Sequence, residues 1–321
     1  MKQKRSSVSQ EAIESRAPSL FPEKGCAPLG TILDAGKCAE LRQWINGKRP
    51  INTAIFYEDK EEFEAKGRWH NYAPGAKDHN LLMDEKPDLS FIEENPAFIK
   101  SMEALAGRHY TIMKKSIIRS TPGWAIPEWI LDYVKDVGRP NLNPFIRDEF
   151  QDVQYFHATD FHQDKTRPES NFVTVYIYLD KVVADYSALR ILEGSHRLGM
   201  TTYPHLLRKS PHQEKGKSYW FYSDNKGNHE KCYETIVTGE AGSIFSFHCF
   251  TLHGTVLNNS KDPRISLRYL IAPKSNDNGE SHLLAQANRK VYGPHKFFPN
   301  RTDVGTDGRL LQTGSSLLSH E

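Results

Sequence analysis

Arg264-Ile265-Ser266-Leu267-Arg268-Tyr269-Leu270-Ile271 is the stretch of this chain with the clearest alternation of polar and apolar residues. Its odd-numbered positions are all apolar or aromatic, whereas Arg264, Ser266 and Arg268 are polar. Successive side chains point to opposite faces of a β-strand, so this period of two predicts a strand with one buried face. The unusual feature is its other face, on which two guanidinium groups lie together.

Several other short segments predict a sheet-rich core around this strand. They are rich in β-branched and aromatic residues, which favour strands, and loops separate them. The predicted strands are Tyr110 to Arg119, Asp152 to Ala158, Phe172 to Leu179, Ala188 to Leu192, Gly242 to Phe247 and Arg264 to Ile271. Many short strands without alternating helices are typical of a β-sandwich or jelly-roll barrel, so the predicted fold class is mainly β.

Helical signals are concentrated before residue 110. Asp34 is placed to cap one helix that Gly47 would end, and Asn95-Pro96 is a cap and first-turn pair for a second helix. Apolar residues recur at helical spacing from Phe98 to Ala106, and Gly107 is suited to close that helix. We therefore expect helices on the N-terminal side of the β core.

The predicted organisation is a flexible tail over residues 1–20 and a single domain over residues 21–321. That domain is expected to begin with a helical part over residues 21–109 and to continue with a β core over residues 110–275, which contains an insertion at 200–240. A C-terminal extension over residues 276–321 follows. The insertion is long, polar and aromatic, which is typical of a functional or disordered loop. We interpret it either as a lid over a site or as a surface insertion without catalytic importance.

The composition excludes a bulk attraction to polyanions. Lys and Arg number 42 against 40 Asp and Glu, a formal charge of +2, which predicts no nucleic-acid or anionic-membrane partner. Mean hydropathy is −0.63, and no segment approaches the roughly 18 apolar residues of a membrane helix. The N-terminus lacks a secretory pattern, and the four cysteines lack CxxC spacing. A cytoplasmic location is therefore the expectation.

A candidate metal site is formed by residues that lie far apart in the sequence. His162 and Asp164 follow one predicted strand, and positions i and i+2 project to the same side of an extended chain. His253 follows another predicted strand. Two imidazoles and one carboxylate are the ligands of mononuclear non-haem iron oxygenases, which leave positions on Fe(II) open to a keto acid and O₂. The nearby His157 and His248 are predicted to have structural roles.

Arg264 suggests which keto acid would bind, because it lies eleven positions after His253 on the polar face of the final strand. A guanidinium inside a barrel needs an anionic partner, and the far carboxylate of 2-oxoglutarate provides charge-assisted hydrogen bonds of about 1.5 to 3 kcal/mol each. The alternative is the solvated face of an edge strand. Arg268 shares this face and is predicted either to bind an anionic group of a substrate or to form a salt bridge with an acidic neighbour.

Six motifs follow one another along the chain. They are His162-Gln163-Asp164, Tyr176-Ile177-Tyr178-Leu179-Asp180, Leu192-Glu193-Gly194-Ser195-His196, Gly242-Ser243-Ile244-Phe245, His253-Gly254-Thr255, and Asn258 to Ser260 followed by Pro263-Arg264. Their combined order, over about residues 110 to 272, resembles the phytanoyl-CoA dioxygenase family of Fe(II)- and 2-oxoglutarate-dependent oxygenases. The chain departs from the family pattern at Asp185-Tyr186-Ser187-Ala188, where an Asn-Gly turn is usual, and at Glu193, where Pro is common.

This resemblance implies a double-stranded β-helix core, a small-molecule substrate, and Fe(II), 2-oxoglutarate and O₂ as cofactor and co-substrates. It implies that Arg264 anchors 2-oxoglutarate, that Thr255 helps to bind the keto acid and that Tyr176 lines the pocket. The implied iron ligands are His162, Asp164 and His253.

The predicted activity is hydroxylation of an unactivated C–H bond of a small metabolite or natural-product intermediate, with release of succinate and CO₂. The substrate would carry an anionic group if Arg268 binds it. Two alternatives are a cupin-type metal-binding protein or metalloenzyme that does not use 2-oxoglutarate, and a non-catalytic oxygenase-like domain that binds a ligand. Arg264 argues against the first and the complete ligand set against the second. The sequence leaves the oligomeric state open.

Overall fold

The computed structural model describes residues 18–66, 80–137, 142–164, 170–201, 204–224, 227–274 and 282–292. Within these ranges the β-strands are β1 (Cys26–Thr31), β2 (Tyr110–Ser120), β3 (Gln154–Phe156), β4 (Thr159–His162), β5 (Val173–Tyr178), β6 (Leu189–Glu193), β7 (Leu206–Glu214), β8 (Lys217–Ser223), β9 (His229–Val237), β10 (Ser243–His248), β11 (His253–Thr255) and β12 (Arg264–Pro273). The α-helices are α1 (Phe21–Lys24), α2 (Ala35–Lys48), α3 (Lys60–Lys66), α4 (Leu81–Glu85), α5 (Ser90–Glu93), α6 (Pro96–Ala106), α7 (Glu128–Val137) and α8 (Leu283–Asn288). The predicted tail lies outside the described residues except for its last three, and so does most of the predicted C-terminal extension.

The strands form two six-stranded sheets. The first has the order β1-β10-β5-β12-β2-β3 and the second the order β4-β11-β6-β9-β8-β7. Neighbouring strands are antiparallel except for β2 and β3, which are parallel. These two sheets form a jelly-roll core of the double-stranded β-helix type, which confirms the predicted mainly β fold class.

Strand β12 separates the helical layer from the space between the sheets. Its apolar residues Ile265, Leu267, Tyr269 and Ile271 are completely buried in one core with residues of the N-terminal helices. The ring of Tyr269, for example, meets that of Phe98 on α6 edge to face at 6.0 Å. The polar residues of β12 therefore lie on the opposite face, toward the second sheet.

The predicted helix caps are present. Asp34 accepts a hydrogen bond from the backbone N–H of Lys37 at 2.8 Å at the start of α2, and Asn95 accepts from Ala97 N at 2.9 Å at the start of α6. Helix α6 ends at Ala106, and the next residue, Gly107, has the positive φ of +89° that glycine adopts without strain. Helix α2 continues through Gly47 to Lys48, so its predicted end was wrong by one residue.

The N-terminal part also contributes a strand that the sequence analysis did not predict. Strand β1 pairs with β10 at the edge of the first sheet, and it carries Pro28 and Gly30, which discourage a strand prediction. An edge strand tolerates both residues, and the register shifts between them. The buried side chains of Cys26 and Ala27 attach this strand to the core.

The segment 200–240 was wrongly interpreted as a loop, because most of its described part forms β7, β8 and β9. Strand β9 pairs with β6, so the three strands extend the second sheet. Their charged residues obscured the strand pattern in the sequence. These charges are balanced by opposite charges on other strands, a pairing that the sequence alone does not reveal. Lys231 of β9, for example, forms an ion pair with Glu214 of β7. Among the described residues, no helix has the length and apolar character needed to cross a membrane.

Candidate metal centre

The structure brings the three predicted metal ligands together between the sheets. His162 is the last residue of β4 and pairs in register with His253, the first residue of β11. Their ring centroids are 4.2 Å apart, and one ligand atom from each of His162, Asp164 and His253 lies within 4.8 Å of the others. Strand pairing thus brings together residues that are about ninety positions apart in the sequence.

Both imidazoles are held with the same nitrogen available. Nδ1 of His162 is 2.8 Å from the carbonyl oxygen of Asp160, and Nδ1 of His253 is 3.1 Å from that of Thr251. Donation from Nδ1–H to these carbonyls leaves the lone pair of each Nε2 free to bind a metal ion. Within the described part of the chain, the buried Nε2 of His253 has no hydrogen-bond partner and lies 3.7 Å from Oδ1 of Asp164. A metal ion would satisfy this nitrogen.

The charge states suit a divalent metal. Burial, together with the charge of His162, lowers the pKa of His253 to about 3, so this imidazole is neutral at ordinary pH. For Asp164, burial favours the protonated form, but the charge of Arg268, electrostatic interaction with the two neighbouring histidines and a hydrogen bond from Thr174 outweigh it and lower the pKa to about 2. The site therefore offers neutral imidazole and an ionised carboxylate, which are the protonation states that metal binding requires.

Asp164 is held through both carboxylate oxygens. The Thr174 hydroxyl on β5 donates to Oδ2 at 2.8 Å, and a guanidinium nitrogen of Arg268 on β12 donates to Oδ1 at 3.1 Å. Arg268 therefore forms the salt bridge that the sequence analysis gave as one of its two alternatives, and its partner is a predicted metal ligand. Its function in substrate binding stays a prediction.

Arg264 is buried in the same inter-sheet space, with an exposed fraction of only 1%. Its guanidinium carbon lies 5.6 Å from the centre of the Tyr178 ring, and one nitrogen donates to the Ser266 hydroxyl. Its Nε is buried without a hydrogen-bond partner, and no carboxylate of the described residues lies within ion-pair distance of it. A buried cation in this state requires an anion, because an uncompensated charge is costly inside a protein.

The remaining predicted residues lie at different parts of this space. Tyr176 is opposite Arg268 in the β5–β12 pairing and is buried, which raises the pKa of its hydroxyl to about 12. The Thr255 hydroxyl accepts a hydrogen bond from Thr159 N at 2.9 Å, so it contributes to the pairing of β4 with β11. The assigned functions of both residues stay predictions.

The two rival histidines make structural contacts. Nδ1 of His157 lies 2.9 Å from the Thr121 carbonyl oxygen, and Nε2 of His248 lies 3.1 Å from Oδ1 of Asn288 on α8. Neither belongs to the cluster of possible ligands found among the described residues.

Sequence reasoning missed Thr174, Tyr178 and Ser266 as residues that support the site. The signal in the sequence was the alternation of side chains along each strand. By that alternation Thr174, Tyr176 and Tyr178 lie on one face of β5, and Ser266 lies between the two arginines on one face of β12. That signal could not identify Asp164 or Arg264 as their partners, since those contacts depend on how the strands pair.

We expect Thr174→Val to weaken Mn(II) binding by about tenfold, because residues that orient a metal ligand typically contribute 10- to 100-fold to affinity. Valine keeps the shape of threonine but cannot donate to Asp164. Calorimetric titration of the purified protein with Mn(II) measures this effect. Thr111→Val, at an exposed position of β2, is the matched control. Equal affinities of the two variants would show that Thr174 does not orient Asp164.

Comparison with known proteins gives one family match. The sequence profile of the phytanoyl-CoA dioxygenase (PhyH) family matches residues 21–266, which is more than half of the chain. A search of curated proteins found no match.

Similar solved structures are distant in sequence. EvdMO1 is 15% identical with a TM-score of 0.47, and the alignment covers 82% of this chain and 50% of that chain, so this chain spans half its length. SnoN, described as a non-haem alpha-ketoglutarate-dependent epimerase from nogalamycin biosynthesis, is 15% identical with a TM-score of 0.44 and coverages of 82% and 83%. EvdO2 from Micromonospora carbonacea var. aurantiaca is 16% identical with a TM-score of 0.45 and coverages of 81% and 91%.

Proposed function

Because this chain belongs to the phytanoyl-CoA dioxygenase family, we propose that it hydroxylates an unactivated C–H bond of a small molecule in an Fe(II)- and 2-oxoglutarate-dependent reaction. One observation carries the proposal. Three groups share the space between the two sheets: a neutral imidazole, an ionised carboxylate and the buried guanidinium of Arg264. Within the described ranges, Nε2 of that imidazole has no hydrogen-bond partner and Arg264 has no carboxylate partner. The first two suit Fe(II), and the third suits the distal carboxylate of 2-oxoglutarate.

His162, Asp164 and His253 would hold the metal ion, and Arg264 would hold the co-substrate. When bound, Fe(II) and 2-oxoglutarate supply the O₂-dependent oxidation, in which 2-oxoglutarate is converted to succinate and CO₂. The protein fixes the geometry: backbone carbonyls orient both imidazoles, and Thr174 with Arg268 orients Asp164. The ring of Phe247 lies 4.3 Å from that of His253 and excludes water from one side of this ligand.

The charges of the site favour a substrate with an anionic group. Arg264 and Arg268 contribute two positive charges, and Asp164 contributes one negative charge. Because the charges of Fe(II) and dianionic 2-oxoglutarate cancel each other, these three side chains keep one net positive charge when both are bound. Arg268 is a candidate to bind the substrate anion, although its guanidinium also donates a hydrogen bond to Asp164.

The test is succinate formation under air from Fe(II), ascorbate and 2-oxoglutarate. We expect slow succinate formation without substrate, because many such sites turn over 2-oxoglutarate uncoupled, and none from an Asp164→Ala control. A metal-binding protein of the cupin type would bind Fe(II) yet form no succinate. Absence of both succinate and anaerobic 2-oxoglutarate binding in the Fe(II)-loaded protein would overturn the proposal.

A further inference from the structure

Glu193 on β6 is the centre of a charged cluster at one end of the inter-sheet space. Its Oε1 accepts from the Thr235 hydroxyl at 2.5 Å and from Lys217 Nζ at 2.9 Å, and its Oε2 is 3.2 Å from Lys24 Nζ. The Glu193 side chain is only 12% exposed, whereas those of Lys24 and Lys217 are 37% and 41% exposed. Glu193 is also one of the positions at which this chain departs from the family pattern.

The strand register places this cluster on the same face of the second sheet as the metal ligands. His253 pairs with Ile191, and Ile191 pairs with Thr235. Because side chains alternate along a strand, Glu193 lies on the face of Ile191, two residues or about 6.6 Å further along β6. Lys217 donates to the Thr235 hydroxyl at 3.0 Å and so joins the same row.

The cluster and Arg264 lie in opposite directions from the metal ligands. Leu189, two residues before Ile191, donates its backbone N–H to the hydroxyl of Tyr178, whose ring faces the Arg264 guanidinium. Along β6, the order is therefore the Arg264 end at Leu189, the metal ligands at Ile191 and the charged cluster at Glu193. 2-Oxoglutarate anchored on Arg264 would leave the Glu193 side for the substrate.

Cys26 gives independent evidence that the cluster faces the inter-sheet space. This buried residue of the first sheet packs with Tyr176 and Phe247 in the core between the sheets. Burial and the charge of Glu193 raise the pKa of its thiol, and the charges of Lys24 and Lys217 oppose that rise. A residue of the first sheet thus experiences all three charges of the cluster.

The three charged side chains of the cluster carry one net positive charge, and the two ammonium groups have further hydrogen-bond donors for a ligand. Burial favours protonation of Glu193, but hydrogen bonds from Thr235 and Lys217 and the charges of both lysines outweigh it and lower the pKa of the carboxyl group. The carboxylate is thus ionised and balances only one lysine. Each ammonium group has three donors, and both lysine side chains are partly exposed to solvent.

We propose that Lys24 and Lys217, held apart and oriented by Glu193, bind an anionic group of the substrate, either a carboxylate or a phosphate. This inference rests on the proposed function, because it assigns the polar end of that reaction's substrate. It also gives a function to the strands that extend the second sheet. Lys217 follows the β7–β8 turn, in which Lys215 and Gly216 have positive φ, and this hairpin brings it to Glu193.

The test uses protein loaded with Mn(II) and 2-oxoglutarate, which does not turn over. Calorimetric titration with hexyl phosphate, hexanoate and hexanol compares two anions with a neutral probe of equal chain length. We expect one anion to bind saturably and at least tenfold more tightly than hexanol. We expect Lys24→Met and Lys217→Met each to weaken the binding of that anion about tenfold, as the loss of a charge-assisted hydrogen bond does. The preferred anion distinguishes a phosphate from a carboxylate substrate.

Lys209→Met is the matched control, because Lys209 lies over the Trp220 ring on the opposite face of the same strands. Equal binding of the anions by the Lys209 and Lys217 variants, or no preference of the wild type for either anion over hexanol, overturns the inference. Uncoupled succinate formation by the same variants separates this inference from the proposed function. Succinate without anion binding removes the inference alone. Saturable anion binding without either succinate formation or anaerobic 2-oxoglutarate binding removes the proposed function, and the lysines then form an anion site that does not serve this reaction.

Discussion

His253→Ala is expected to abolish Fe(II) binding and to reduce 2-oxoglutarate-dependent succinate formation by at least about a thousandfold, or about 4 kcal/mol of activation free energy. His253 is buried, neutral and held by the Thr251 carbonyl, and its Nε2 has no other partner among the described residues. Alanine leaves only His162 and Asp164, which are two of the three proposed ligands. Anaerobic titration with Fe(II) and a succinate assay measure the two effects.

A thermal unfolding experiment shows whether the loss is specific. Mn(II) should raise the melting temperature of the wild type, since a ligand that binds only the folded state stabilises it. It should leave that of His253→Ala unchanged. His157→Gln is the matched control, because His157 is the rival candidate near His162 and bonds the Thr121 carbonyl instead. If the His253 variant binds Fe(II) as tightly as the His157 variant, His253 is not a metal ligand.

The part of the fold that the sequence predicted well is the part in which local pattern and burial agree. Strand β12 shows this most clearly: its alternation places Ile265 and Leu267 in the core, and they are completely buried. Strand β1 was missed because Pro28 and Gly30 oppose a strand locally, while pairing with β10 stabilises it. Strands β7 to β9 were missed because their charged residues are neutralised across strands, as in the pair of Lys231 with Glu214.

The candidate site likewise has residues that were recognisable from the sequence and residues that were not. Its predicted ligands were recognisable because His162, Asp164 and His253 occur in motifs whose order is informative, and the structure brings them together. Their supporting residues were not recognisable, because Thr174 and Lys217 acquire their significance only from partners on other strands. Glu193 was visible in the sequence as a departure from the family pattern, but its two lysine partners are 24 and 169 residues away.

Arg264→Met is expected to raise the KM for 2-oxoglutarate by about a hundredfold, which corresponds to the loss of two charge-assisted hydrogen bonds near the lower end of their range. Methionine fills much of the same space without the charge, and Arg264 has no carboxylate partner among the described residues whose pairing would be broken. Arg264→Lys should have an intermediate effect, because an ammonium group keeps the charge but cannot form the two-point contact. Steady-state succinate assays measure all three proteins.

The decisive comparison is between 2-oxoglutarate and 2-oxobutyrate, a keto acid without the distal carboxylate. If Arg264 anchors that carboxylate, the wild type strongly prefers 2-oxoglutarate, and the preference falls close to one in Arg264→Met. Arg190→Met is the control, because Arg190 pairs with Glu234 and stacks on Phe161 on the opposite face of the second sheet from the predicted metal ligands, so its removal should leave the preference intact. A variant at Arg264 that loses turnover yet keeps the wild-type preference would mean that this guanidinium supports the fold and that the co-substrate is anchored elsewhere.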